Sequence, residues 1–95
     1  MAVKVIIRRV VPEDKVKILM PTLRELREHA IKQPGYISGE TLRGADDPTD
    51  YVVIGTWQSA DDWKKWVRSP ERTQIQDKID ALLVEKTTYA IYNYG

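Results

Sequence analysis

Two boundary signals on either side of a strand-rich segment limit how this chain can fold more than any other feature. Pro34-Gly35 joins a residue that cannot continue a helix to one that accepts a left-handed backbone, and strand-forming residues follow at once. Further along, a β-branched segment ends at Trp57, and Ser59 with an acidic residue three positions later has the spacing of a helix capping box. We expect the tryptophans to build one place in the fold, because all three fall within ten residues of the sequence: Trp57, Trp63 and Trp66.

A length of 95 residues predicts one domain, over residues 1–95, and hydrophobic periodicity predicts the element order β-α-β-β-α-β. The four strands are predicted at 3–11, 36–43, 51–57 and 84–94. The first helix is predicted from Pro12 to the Pro34-Gly35 stop, with a kink at Pro21, and the second helix is split in two at Ser69. This order indicates an α+β, ferredoxin-like fold, in which helices cover one face of a four-stranded antiparallel sheet.

Both faces of the predicted sheet are apolar. In the first strand, Val3, Val5 and Ile7 face one way, whereas Ile6 and Val10 face the other. The third and last strands are apolar on both faces as well. The helices can cover only one face, and a face left in water is normally polar. We therefore expect a homodimer formed through the uncovered sheet face.

The composition excludes several classes of function. A net charge of +1 argues against a nucleic-acid or membrane partner held by bulk electrostatics. The absence of cysteine excludes disulfides, thiolate metal sites and cysteine nucleophiles. No apolar run approaches the ~20 residues that span a bilayer, and the N-terminal apolar run is too short for a signal peptide. These features predict a soluble, cytoplasmic protein.

Three segments carry a resemblance to a known family: QPGY at 33–36, WQSADDW at 57–63 and WVRS at 66–69. With the element order, they resemble the antibiotic biosynthesis monooxygenase domain family from about Val3 to Tyr92. The resemblance implies a dimeric α+β barrel, in which two ferredoxin-like sheets pack face to face. It also implies a range of activities, which includes cofactor-free monooxygenases of polycyclic phenols, haem-degrading enzymes and small isomerases.

The same resemblance argues against haem degradation. The haem-degrading members share an asparagine on the first strand, a tryptophan on the helix after the third strand and a histidine ten residues later. Trp66 matches the tryptophan, but Gln76 stands at the histidine position and the first strand has no asparagine. We therefore expect no cofactor.

The tryptophans are the main candidates for ligand contact. Trp66, with Trp63 and Trp57 nearby, offers a broad apolar wall for a flat aromatic ligand, although large aromatic residues at this helical spacing also serve as core anchors. Gln76 is a candidate hydrogen-bonding contact or a surface glutamine. Glu40 is a candidate for orienting or ionising a substrate, or a charge on a solvated rim.

His29 is the only histidine, and so the only side chain whose unperturbed pKa lies near neutrality. As a general base it could ionise a phenol so that the electron-rich ring reacts with dioxygen. Its position on the flank of the first helix favours solvent exposure instead. Three aspartates at 46, 47 and 50 fit a solvated turn better than a metal site, because their spacing matches no calcium loop.

Three functions are compatible with these residues. The first is a cofactor-independent monooxygenase that acts on an aromatic or quinone-like molecule in a pocket between sheet and helices, with Trp66 and His29 as the catalytic candidates. The second is a non-catalytic dimeric barrel that binds or senses a small hydrophobic ligand. The third is an isomerase of a small lactone or sugar-derived metabolite. A cavity that reaches His29, Glu40 or an arginine favours catalysis, whereas a purely apolar cavity favours binding.

Overall fold

The computed structural model describes all residues from Met1 to Gly95. It contains four strands: β1 (Val3–Val10), β2 (Tyr36–Arg43), β3 (Asp50–Trp57) and β4 (Thr88–Asn93). It contains three α-helices: α1 (Val16–Ala30), α2 (Ala60–Arg68) and α3 (Pro70–Asp80). A short 3-10 turn, Glu13–Lys15, leads into α1. None of the helices has the length and apolar content needed to cross a membrane.

The sheet has the strand order β2-β3-β1-β4, with each neighbouring pair antiparallel. This arrangement confirms the predicted ferredoxin-like α+β fold. The register places Val5 of β1 opposite Gly55 of β3 and opposite Ile91 of β4. Because opposed residues point to the same side of a sheet, the side chains of Val3, Val5, Ile7 and Arg9 share the face that the helices cover.

Three predicted element boundaries are wrong by several residues. The first helix ends at Ala30 rather than at the Pro34-Gly35 stop, because Lys32 and Gln33 form only turns, with hydrogen bonds to carbonyls three residues back. The last strand begins at Thr88 rather than near Val84, because residues 81–83 still donate backbone hydrogen bonds to carbonyls of α3 and extend its final turn. Val84 is 94% exposed and pairs with no strand. The first α-helix begins at Val16 rather than at Pro12, because the intervening residues form the 3-10 turn.

Both predicted serine caps are confirmed. The Ser59 hydroxyl oxygen accepts a hydrogen bond of 3.1 Å from the Asp62 backbone N–H, which satisfies a free donor at the start of α2. The Ser69 hydroxyl oxygen accepts one of 3.2 Å from the Arg72 backbone N–H at the start of α3. Pro70 occupies the first turn of α3, where its missing N–H costs no helical hydrogen bond. The caps therefore fix where each half of the split helix begins.

The Pro34-Gly35 turn contacts the start of α2. Gly35 has a φ of +87°, in the left-handed region, and a Cβ at this position would overlap the Asp62 carboxylate. Its carbonyl oxygen accepts a hydrogen bond of 2.7 Å from the Gln58 backbone N–H. The turn that follows α1 therefore contacts the connection between β3 and α2, through Gly35 on one side and Gln58 and Asp62 on the other.

The core between sheet and helices consists of two clusters of buried residues. One contains Val3, Val5, Trp57, Trp63 and Trp66. The other contains Val11, Leu19, Tyr51, Ile75 and Ile79. Leu26 of α1 packs against both clusters and so joins them into one layer.

The opposite face of the sheet has no helix over it and is apolar at its centre, with Lys4, Arg8, Glu40 and Asp50 around that centre. Ile6 of β1 lies opposite Ile54 of β3 and Ala90 of β4, and all three are only partly buried. Tyr92 and Leu42, which flank them on the two edge strands, are 57% and 47% exposed. The two-sided apolar pattern of the sequence is therefore present in the fold.

Truncation of Leu19 tests the core. Leu19→Ala removes a fully buried side chain of α1 and should lower the free energy of unfolding by about 2–5 kcal/mol. Ile18→Ala is the matched control, because its neighbouring side chain is 56% exposed, and its effect should stay within about 0.5 kcal/mol. Urea denaturation with an unchanged m-value measures both changes. Equal losses for the two variants would contradict this packing.

Candidate functional site

A cavity of about 290 Å³ lies between the helix-covered face of the sheet and the helices. Its volume is at the lower end of the range for small-molecule sites. The sheet contributes Val5, Ile7, Tyr51, Val53 and Trp57, and α1 contributes Met20, Leu23 and Leu26. The remaining walls include Tyr36, Trp63, Trp66, Arg9 and Arg72. Most of the lining is therefore apolar and aromatic, with charged groups at a few points.

The three tryptophans all line this cavity, as the hypothesis of a tryptophan-walled pocket requires. The rings of Trp57 and Trp63 meet edge to face with centroids 5.7 Å apart, and Tyr36 meets Trp57 in the same way at 5.4 Å. Trp66 is 3% exposed and also belongs to the core cluster. The residues thus serve as core anchors and as cavity wall at once, because each indole is large enough to do both.

Tyr36, Trp57 and Trp63 form an aromatic series that continues to Tyr89, which contacts Arg72. The ring of Trp63 lies 6.0 Å from that of Tyr89, centroid to centroid. The guanidinium carbon of Arg72 lies 5.1 Å from the Tyr89 ring centroid, and its Nη2 contacts the Tyr89 hydroxyl. Such a cation-aromatic contact holds the guanidinium in place beside the cavity.

Arg9 also lines the cavity and is almost fully buried, at 4% exposure. Its Nη2 donates a hydrogen bond of 3.1 Å to the Gln76 side-chain oxygen, and Arg72 donates one of 3.4 Å to the same oxygen. Its Nε has no hydrogen-bond partner within the chain. Desolvation lowers the pKa of Arg9, as does the nearby Arg72, whereas Tyr89 and Asp80 act in the opposite direction.

Gln76 lies behind the cavity wall rather than in it or on the surface. Its side-chain nitrogen donates to Asp80 at 2.8 Å and to Thr87 at 3.3 Å, while its oxygen accepts from the two arginines. All the hydrogen-bonding capacity of the amide group is thus used inside the protein. Gln76 therefore orients Arg9 and Arg72, and it does not line the cavity.

His29 does not reach the cavity. Its Nδ1 contacts a carboxylate oxygen of Glu71, so the pair connects the end of α1 to the first turn of α3. Both side chains are partly exposed. The position agrees with the predicted helix flank, and it separates His29 from the tryptophans with which it was grouped as a catalytic candidate.

The candidate Glu40 is exposed, and two further strand arginines, Arg8 and Arg43, do not belong to the cavity lining. Glu40 contributes to the cavity lining, but it is exposed, and its register opposite Ile54 directs its side chain to the uncovered face. Arg8 forms an ion pair of 3.1 Å with Asp50 on the uncovered side of β1. The guanidinium of Arg43 donates to the Pro48 carbonyl at 2.8 Å. The latter two are therefore occupied by contacts within the chain.

The three aspartates near the β2–β3 connection do not share a site. The Asp47 carboxylate accepts hydrogen bonds from the Thr49 hydroxyl and backbone N–H, at 2.7 and 3.0 Å. These bonds, the hydroxyl first, lower the pKa of Asp47. Asp50 pairs with Arg8 instead. The segment is a turn closed by its own side chains, as expected from its residues.

The two buried arginines of the cavity, Arg9 and Arg72, are the functional candidates that sequence reasoning missed. Arg9 continues the alternation of Val3, Val5 and Ile7, so the pattern places a charged residue on the buried face of β1. Arg72 and Gln76 fall in phase with Ile75 and Ile79 on the buried side of α3, and these four residues are the buried ones of that helix. The sequence signal for these residues was a polar residue at a position where the apolar periodicity of the strand or helix predicts a buried side chain.

Comparisons with known proteins agree with this architecture. A family model described as antibiotic biosynthesis monooxygenase matches residues 2–78. A conserved protein from Methanosarcina mazei Go1 superposes with a TM-score of 0.92 at 21% identity, over 100% of this chain and 94% of that one. Rv0793 from Mycobacterium tuberculosis gives 0.87 at 18% identity, over 100% and 96%. SnoaB from Streptomyces nogalater, a cofactor-independent oxygenase, gives 0.83 at 17% identity, over 99% and 93%. A search of curated proteins finds no match. At these identities the structures show a shared fold.

Substitution of Gln76 tests the network behind the cavity. Gln76→Ala leaves both arginines without their shared acceptor and should lower the free energy of unfolding by about 2–4 kcal/mol. Gln74→Ala, at an exposed position on the same helix, should change it by less than about 0.5 kcal/mol. Chemical denaturation of the two variants gives the comparison. A Gln76 effect as small as that of Gln74 would mean that the amide does not hold the arginines.

Proposed function

We infer the function from one premise: the chain belongs to the antibiotic biosynthesis monooxygenase family, whose model matches residues 2–78. We propose that it is a cofactor-independent monooxygenase of an aromatic or quinone-like small molecule. The substrate binds in the cavity between the sheet and the helices. SnoaB, a cofactor-independent oxygenase with the same fold, supports this reaction class.

One observation supports the proposal beyond the family: two buried arginines, Arg9 and Arg72, belong to the lining of the otherwise largely apolar, tryptophan-lined cavity. A cavity that only stores a hydrophobic ligand needs no charge, and burial of charge is costly. Arg9 and Arg72 lie beside the aromatic series that ends at Tyr89. A flat ring against Trp63 and Trp66 would therefore place its polar substituent within reach of a fixed cation.

The reaction draws its electrons from the substrate. Loss of a proton from a phenol makes the ring electron-rich, so that a ring carbon can form a bond to dioxygen. At a ring methylene, loss of water from the resulting hydroperoxide leaves a carbonyl, and one oxygen atom stays in the product while the other leaves as water. The chain contributes orientation by the tryptophans, exclusion of water by the apolar lining, and electrostatic stabilisation of the anion by the arginines.

A second candidate function is supported by a different observation. No histidine lines the cavity, and the one carboxylate residue of its lining, Glu40, is exposed, with a register that directs its side chain to the uncovered face. A site without a general base suits a non-catalytic barrel that binds or senses a small hydrophobic ligand. Turnover separates the two candidates, because the binding module consumes no dioxygen.

Turnover is tested with a polycyclic phenol that carries an oxidisable ring methylene, in a dioxygen electrode. The wild-type protein should consume dioxygen and form the quinone. Trp66→Phe, which narrows the aromatic wall, should lower kcat/KM roughly tenfold, as expected for a misplaced ring. Lys65→Ala, at an exposed position one residue away, should leave turnover unchanged. A folded wild-type protein that binds the phenol without consuming dioxygen would support the binding module instead.

We further propose that the protein is a homodimer, joined through the uncovered sheet face. Ile6, Ile54 and Ala90 lie side by side at the centre of this face, and Leu42 and Tyr92 extend it to both edge strands. An uncovered apolar centre of this kind favours association with a self-complementary partner. The cavity lies on the other face, so each subunit keeps its own site.

The oligomeric state is measured by sedimentation at micromolar concentration. The wild-type protein should sediment at twice the 11.0 kDa mass of one chain. Ile6→Lys places a charge at the centre of the uncovered face and should shift the protein to monomer, because an unpaired buried charge is strongly unfavourable. Val84→Lys, at a position 94% exposed and away from the sheet, should remain a dimer. A wild-type monomer would contradict the proposal.

A further inference from the structure

We propose that Arg9 and Arg72 form an anion-binding subsite at one end of the cavity, which selects aromatic ligands that carry a carboxylate or an ionised phenol oxygen. The inference rests on the proposed function for the identity of the aromatic part of the ligand. The charge preference itself follows from the arginines alone.

Arg9 is buried and forms no direct salt bridge with a carboxylate, although the nearby charge of Asp80 favours its ionised form. Its only side-chain hydrogen bond goes to a neutral amide oxygen, which it shares with Arg72, and its Nε has no partner within the chain. Buried cations are normally paired with a carboxylate, since an unpaired charge is costly to remove from water. Asp80, the nearest acid of the network, is bonded to the Gln76 nitrogen. Arg9 therefore retains capacity for an anionic acceptor.

The charge balance of the cavity points the same way. Four arginines belong to its lining, namely Arg9, Arg24, Arg27 and Arg72. The single acidic residue of the lining is Glu40, whose register directs the side chain to the uncovered face. The whole chain carries a net charge of only +1, so this excess of positive charge is local to the cavity. Guanidinium groups keep their charge at neutral pH even when burial lowers their pKa.

The position of the pair fits a ligand with an aromatic body and an acidic substituent. Arg72 is held over the ring of Tyr89, which neighbours Trp63, so charge and aromatic wall adjoin. Gln76 holds both guanidinium groups on one oxygen, which fixes their spacing before a ligand arrives. A planar carboxylate or a phenolate oxygen is the acceptor that a guanidinium binds best.

In the proposed reaction, Arg9 and Arg72 would promote ionisation of the phenol, a role that His29 cannot fill from its position. His29 lies outside the cavity against Glu71, so no imidazole is placed to remove a phenol proton. Two fixed cations instead stabilise the phenolate over the phenol, and the released proton passes to water. The subsite would therefore lower the pKa of a bound phenol without a general base.

The experiment compares a bicyclic carboxylate with its neutral isostere. Isothermal titration of the wild-type protein at neutral pH should show that 2-naphthoate binds roughly 10- to 100-fold more tightly than 2-naphthamide, as expected for charge-assisted hydrogen bonds. This comparison needs no variant. A third probe, 2-naphthol, reports ionisation directly, because naphtholate has its own absorption band.

Three variants assign the preference. Arg9→Met keeps the length of the side chain but removes its charge, and such replacements of buried charge are often neutral or stabilising. Gln76 still accepts from Arg72 in this variant, so the network survives. The preference for naphthoate over naphthamide should fall below about twofold in Arg9→Met and recover in part in Arg9→Lys. It should stay intact in the control Arg8→Met, because Arg8 pairs with Asp50 outside the cavity.

Loss of the preference in Arg9→Met, with retention in Arg8→Met, supports the subsite. Naphtholate absorption of bound 2-naphthol at neutral pH then identifies phenols as ligands, and its absence identifies carboxylates. Equal affinities for naphthoate and naphthamide in the wild type, binding of neither, or an intact preference in Arg9→Met would overturn it. A preserved preference without dioxygen consumption contradicts the monooxygenase alone, whereas turnover without any preference contradicts the subsite alone.

Discussion

The cavity depends on the contact between the Pro34-Gly35 turn and the capped start of α2. Gly35 can approach the Asp62 side chain only because it has no Cβ and adopts a left-handed backbone. The Ser59 cap then starts α2 directly after β3, so that Trp63 meets the Trp57 ring at the strand end. A bulkier residue at Gly35 would push α2 away from the sheet, and the aromatic wall would lose its geometry.

The core contains both apolar residues that stabilise the fold and polar residues that the proposed anion-binding subsite requires. Ile75 and Ile79 bury α3 against the rest of the molecule, whereas Arg72 and Gln76 on the same side of that helix bring polar groups into it. Arg9 does the same on β1, where every other residue of its face is apolar. Well-packed apolar residues would be at least as stable at these positions. Departures of this kind from core patterning concentrate at functional sites.

Local chemistry explains why much of the fold was predictable. Strand alternation gave the faces of β1 and β3, and the serine caps gave the starts of α2 and α3, because each depends on residues within a few positions of one another. The start of β4 was predicted too early, at 84 instead of 88. Thr, Tyr and Val residues favour a strand throughout that segment, but the strand starts only where β1 offers a partner, at the pairing of Arg8 with Thr88.

The sequence by itself determined which face of its element each site residue occupies. The alternation along β1 put Arg9 on the buried face, the helical phase put Arg72 and Gln76 on the inner side of α3, and the helix flank put His29 away from the tryptophans. Only the tertiary structure decided what these side chains meet. Arg9 and Gln76 are 67 positions apart, and their hydrogen bond exists because α3 packs across the end of β1. Periodicity shows which side of a strand or helix a side chain is on. The hydrogen bonds from Arg9 and Arg72 to the same Gln76 oxygen require a strand and a helix at a fixed distance, and that distance is set by the packing of the whole chain.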